Sequence, residues 1–156
     1  MAVALPVVAG LLSALGAPIG AYIGMQAKEE LKEGQQHLRV LAHILLAVAV
    51  FFVVSHFSSK AWVAALAAFA LGGILSYVDL HQPHLRVPSD AFMVLLGIAL
   101  FVLLGSPYFV ALASVTFVYG VTLGTLYVAA HTWTRSLRYA GLLLGTFGLL
   151  VLFVQF

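Results

Sequence analysis

Six apolar stretches, each long enough to cross roughly 30 Å of hydrocarbon, follow one another along this chain with little between them. They run Val3–Met25, Val40–Phe57, Ala61–Val78, Pro88–Leu104, Tyr108–Ala130 and Tyr139–Phe156. Of the 156 residues, 63% are hydrophobic and 8% charged, where a soluble domain carries roughly a quarter charged. Water cannot solvate such a surface, and lipid has no hydrogen bonds to offer an open backbone. The segments must therefore be helices. The expected fold is an all-α integral membrane protein, one polytopic domain over residues 1–156. It forms a compact bundle of about six transmembrane helices with antiparallel neighbours.

The breaks between stretches have local causes. Gly105-Ser106-Pro107 interrupts a run otherwise too long for one crossing, and Ser58-Ser59-Lys60 does the same between the second and third. Pro88 suits a first helical turn and Asp90 favours the positive end of a helix. With six crossings, Lys28, Lys32, Arg39, Arg86, Arg135 and Arg138 share one side, and Lys60 stands alone opposite. That asymmetry places the charged connections in the cytoplasm and both termini outside. All five acids (Glu29, Glu30, Glu33, Asp79 and Asp90) and every histidine except His56 gather on the charged side.

Composition also excludes whole classes of function. Without cysteine there are no disulfides, Cys-type zinc sites or Cys-held iron–sulfur clusters. Seven Lys and Arg, all in connections, are explained by membrane orientation and give no nucleic-acid surface. The opening Met1–Leu12 has no basic n-region, so no cleavable leader is expected, and no lipidation signal is seen at the other end. No GxSxG serine elbow occurs, and no glycine-rich phosphate loop lies outside a predicted span.

Two patterns bear on assembly. His37-Leu38-Arg39-Val40 and His84-Leu85-Arg86-Val87 both precede even-numbered spans, and Ser136-Leu137-Arg138-Tyr139 takes the same place a third time. The spacing suggests three pseudo-repeated hairpins arranged in parallel around the membrane normal, although snorkelling alone also puts Arg at span entrances. Small residues recur every four positions: Gly16, Gly20 and Gly24; Ala64, Ala68, Gly72 and Ser76; Thr116, Gly120 and Gly124; then Gly141 and Gly145. Such stripes let helices approach closely, inside the bundle or in a homo-oligomer.

Three candidate chemistries follow. Pro18, flanked by Gly16 and Gly20, breaks the first span near its middle, and a broken helix at that depth is where transporters often hold substrate. Asp79, His81 and His84 lie within six residues, and with His43, His131, Glu30, Glu33 and His37 they form a candidate divalent-metal set. A helical continuation of the first span over Ala27–Glu33, stopped at Gly34, would put Glu30 and Glu33 on one face. His43 and His131 are the pair that would serve a haem. The leading expectation is a transporter or channel for a small solute or cation. The alternatives are a metal- or haem-dependent enzyme at the cytoplasmic face and a non-catalytic subunit of a membrane complex.

Overall fold

The computed structural model of the chain describes residues 4–27, 29–81, 89–130 and 133–155. Among these the chain is helical throughout: α1 (Ala4–Ser13), α2 (Gly16–Gln26), α3 (Leu31–Phe57), α4 (Ala61–His81), α5 (Ser89–Val102), α6 (Phe109–Ala130) and α7 (Trp133–Gln155). Five helical segments are long and apolar enough to cross a membrane: Pro6–Gln26 (through α1 and α2), Glu33–Phe57, Ala61–Val78, Phe109–Leu126 and Thr134–Phe153. The sixth apolar segment, α5, is shorter, with 14 residues.

The turns between helices are made by the residues expected to make them. Gly105 takes a φ of +87°, the left-handed region that glycine enters without strain. The Ser106 hydroxyl accepts from the Tyr108 N–H at 3.1 Å, while the Ser106 N–H donates to the Leu103 carbonyl at 2.8 Å. At the other tight turn the Ser58 hydroxyl accepts from the Lys60 N–H at 3.2 Å.

The expected helical extension from Ala27 to Glu33 is not formed. α2 ends at Gln26 and α3 begins at Leu31, running through Gly34 without a break to Phe57. Electrostatics explain the difference. As a tail on α2, Glu29, Glu30 and Glu33 would sit at the negative end of a helix. At the start of α3 they meet the positive end instead, and a mid-helix glycine costs only about 1 kcal/mol.

α6 is the central helix, packed against α1, α2, α3 and α7 and lightly against α5. Its most intimate partner is α2. Gly16 lies against Phe117, Gly20 against Val121 and Gly24 against Thr125, so the contacts advance in step and the two helices run parallel. α5 and α7 are parallel by the same reasoning, with Asp90 beside Arg138 near their starts and Gly97 against Leu143 and Thr146 further along. Phe109 near the start of α6 packs 6.5 Å from Phe147 of α7, and Phe52 late in α3 lies 6.2 Å from Tyr108 at the entrance to α6. Direction therefore alternates along the chain, and the charged ends of the described helices collect at one end of the bundle. The core is Leu, Phe and Ala from all these helices, with Leu100, Leu103, Leu112, Phe109 and Phe147 essentially sealed. α4 packs chiefly on α3 and lies at the edge, exposing Trp62, Leu66, Phe69 and Tyr77.

Candidate functional site

The first span is interrupted at Ala14–Leu15, four residues ahead of the half-buried Pro18. Proline has no N–H to give the Ala14 carbonyl, and its ring crowds that group. The chain ahead of it tightens accordingly: the Ala14 and Leu15 N–H groups donate to Leu11 and Leu12, three residues back, at 3.2 and 3.0 Å. The Ser13 hydroxyl reinforces the turn by donating to the Gly10 carbonyl at 2.6 Å. Pro18 then falls in the first turn of α2, where a missing donor is tolerated. Ser13, Ala14 and Ala17 are each 3% exposed or less, whereas Leu12 and Leu15 are about half exposed, so one face of the interruption packs into the bundle and the other lies on its surface.

What surrounds the break is backbone. A Cβ on Gly16, Gly20 or Gly124 would enter the space of a facing main-chain carbonyl, and one on Gly120 would stand 2.9 Å from the Ala17 nitrogen. The stripes of the first and fifth predicted spans thus interlock with each other. The Thr125 hydroxyl lies 3.0 Å from the Gly20 carbonyl across the seam and 2.8 Å from the Val121 carbonyl of its own helix. Sequence reasoning missed Thr125, although its place beside Gly124 was the available signal. Thr116 is 1% exposed and donates to the Leu112 carbonyl at 2.8 Å. The stripe of the third predicted span turns toward α3, with Gly72 close to the Ala47 methyl. Gly141 and Gly145 have nothing near them and face outward.

At the charged end, Arg138 and Asp90 form an ion pair at 2.6 Å, with the two side chains 67% and 35% exposed. Glu30, Glu33, His37 and Arg39 are exposed along the start of α3. Among the described residues no three His, Asp or Glu side chains converge to hold a metal. His84 and His131 lie outside the described residues, as do the side chains of Asp79 and His81. The metal set and the His43–His131 haem pair therefore fall largely outside what is described.

His43 is half-buried on α3 and lines a groove of about 370 Å³ between α3 and α4. Ile44, Ala47, Val48 and Phe51 form one wall; Ala68, Phe69, Gly72 and Ser76 form the other. No family model matches this chain, and comparisons with curated proteins and with solved structures give no significant match.

Proposed function

We propose that this chain is a six-crossing membrane protein that moves a small solute or cation, with the α1–α2 interruption against α6 as its working centre. Its charged connections face the cytoplasm and its termini the outside. The second, fourth and sixth crossings begin at the recurring Leu-Arg pairs, Leu38-Arg39, Leu85-Arg86 and Leu137-Arg138.

One observation carries the reading: a helix of crossing length is interrupted at Ala14–Leu15, near its middle, with Ala14 sealed against the bundle and Leu15 turned outward. In hydrocarbon a carbonyl deprived of its helical donor costs several kcal/mol unless something else satisfies it. A broken crossing persists where freed carbonyls and helix ends serve a solute. The hydroxyls of Ser13, Thr116 and Thr125 lie on the same helices, buried and uncharged, which suits a neutral solute or a cation held by oxygen atoms. On this reading the acids and histidines at the cytoplasmic mouth attract the cation before it enters.

The test is flux in liposomes, read by light scattering with urea and glycerol and by entrapped indicators with K⁺ and Mg²⁺. Pro18→Ala returns a donor to the Ala14 carbonyl and removes the ring. It should lower the flux of whichever probe permeates by about tenfold, the equivalent of roughly 1.4 kcal/mol, without lowering folded yield. Equal flux in the variant, or no probe crossing faster than through empty liposomes, overturns the proposal.

A further inference from the structure

The two halves of the first span are held by different kinds of contact. In α2 the small residues Gly16, Ala17, Gly20, Ala21 and Gly24 are buried, and the three glycines meet the main chain of α6 at Phe117, Val121 and Thr125. Neither side of that seam can give way, so α2 moves only with α6. Over residues 6–13 of α1, only Gly10 and Ser13 are buried, and Val8, Leu11 and Leu12 are about half exposed. Gly10 meets a side chain rather than main chain. A Cβ there would fall 2.5 and 2.6 Å from Cε1 and Cζ, at the far end of the Phe147 ring.

Phe147 is 1% exposed and its ring lies 6.5 Å from that of Phe109, which is equally sealed. Gly16 stands level with Phe117 on the parallel α6, so α1 runs beside the first two turns of α6. The Phe109–Phe147 pair therefore closes the bundle on the side of the interruption nearer the start of the chain.

A joint separates the halves. The Ala14 and Leu15 N–H groups reach only three residues back, and Pro18 has no donor for the next turn. Three-residue hydrogen bonding inside a longer helix often marks a hinge. The Ser13 hydroxyl donates to the Gly10 carbonyl, which ties the last turn of α1 to α1 and not to α2. At 1.5 Å per residue Gly10 lies about 7 Å from the joint. A swing of about 30° carries it about 3.5 Å, a full carbon–carbon contact distance, and frees the ring.

We propose that α1 is a gate that pivots at Ala14–Leu15 while α2 stays locked to α6, with Phe147, seated on Gly10, as its latch. Closed, the latch seals the approach to the interruption from the N-terminal side. The gate deepens the transport reading and rests on it for its purpose, but the pivot itself can be measured without flux.

Spin-label distances test it, in a chain with no native cysteine. Val8→Cys with Leu149→Cys, both at exposed positions, spans α1 and α7 beside the latch. Ile23→Cys with Leu137→Cys, also exposed, spans α2 and α7 toward the other end and is the control. Val8 lies about 10 Å from the joint, so opening should lengthen the first distance by about 5 Å. Gly10→Ala unseats the ring with one methyl group, and Phe147→Ala removes it. Both should populate the longer distance and speed the flux of whichever probe permeates the wild type, with the control distance unchanged. Phe147→Ala leaves a large cavity, so Gly10→Ala alone decides if that protein fails to fold. A first distance unchanged in folded Gly10→Ala overturns the gate, whatever the flux. A control distance that lengthens equally also overturns it, because α2 would then move too. A lengthened first distance with no probe crossing in any variant overturns the transport reading and leaves the pivot standing.

Discussion

Gly20→Ala adds one methyl group at the tightest point of the α2–α6 seam. That Cβ would stand 2.6 Å from the Val121 carbonyl carbon and 2.7 Å from its Cα, and closer still to its oxygen. Carbon atoms rest about 3.5–4.0 Å apart, so α2 must retreat by about 1 Å. Main chain cannot swing aside as a side chain can. Overpacking of this kind costs about 1–3 kcal/mol. A 1 Å retreat also stretches the Thr125–Gly20 hydrogen bond beyond its useful range. Interhelical bonds in membranes average about 0.6 kcal/mol and reach about 1.7. The expected loss is therefore about 2–4 kcal/mol.

A graded series sharpens the test. Gly24→Ala, whose Cβ would sit 3.0 Å from the Thr125 carbonyl oxygen, should cost less than about 1 kcal/mol, because a few tenths of an ångström relieve it. Gly141→Ala and Gly145→Ala meet nothing within 4 Å; they should be neutral or gain up to about 1 kcal/mol from helix propensity. The assay is reversible unfolding in mixed micelles by added SDS, followed by tryptophan fluorescence. A Gly20→Ala protein unfolding within about 0.5 kcal/mol of wild type, or a Gly141→Ala protein as unstable as Gly20→Ala, would refute the interlocked seam.

Other substitutions separate effects of different size. Thr125→Val removes the hydroxyl that spans the seam and should cost about 0.6–1.7 kcal/mol in the same assay; no change would mean the bond carries nothing. Ser136 is fully buried and its hydroxyl has no hydrogen-bond partner among the described residues, so Ser136→Ala should be neutral or stabilising by up to about 1 kcal/mol. A marked loss there would reveal a partner. Asp90→Asn breaks an ion pair that water largely screens and should cost no more than about 1 kcal/mol, less at high salt. A cysteine-free chain also permits direct mapping: Gln36→Cys and Ser59→Cys should react with a membrane-impermeant thiol reagent from opposite sides, and labelling from one side would refute the alternating topology.

The helix-making and helix-breaking chemistry was legible in the sequence because it is local. Pro18, Ser58–Lys60 and Gly105–Pro107 act on their immediate neighbours; the structure turns at the last two and interrupts the helix at Ala14–Leu15, just ahead of Pro18. Helix pairing was not legible. In lipid the inward and outward faces of a helix are almost equally apolar, so the stripe at Gly16, Gly20 and Gly24 shows a face without naming its partner. Gly141 and Gly145 have the same spacing and face outward. Gly34 misled because a glycine among Lys, Glu and Gln reads as a stop, while the charges of Glu29, Glu30 and Glu33 relative to a helix end decide where helices begin. The groove beside His43 depends on the distance between two helices, which no single segment encodes. For the first span the sequence shows that a break falls close to Pro18 but not that it falls at Ala14–Leu15, nor its setting against the α6 backbone.

The brevity of α5 has a consequence for the surrounding lipid. The described part of α5, fourteen residues that follow directly on the undescribed 82–88, rises about 21 Å, some 9 Å less than an average hydrocarbon layer. Leu95, Ile98 and Val102 face outward along it, so lipid rather than protein meets that flank. In the proposed six-crossing arrangement the bilayer must pinch inward there, at fractions of a kcal/mol per ångström, or a few kcal/mol in all. The molecule is then thick on one side and thin on the other, and membranes with shorter acyl chains relieve the strain. In that arrangement bilayer thickness would be a physical variable that tilts the chain within its membrane.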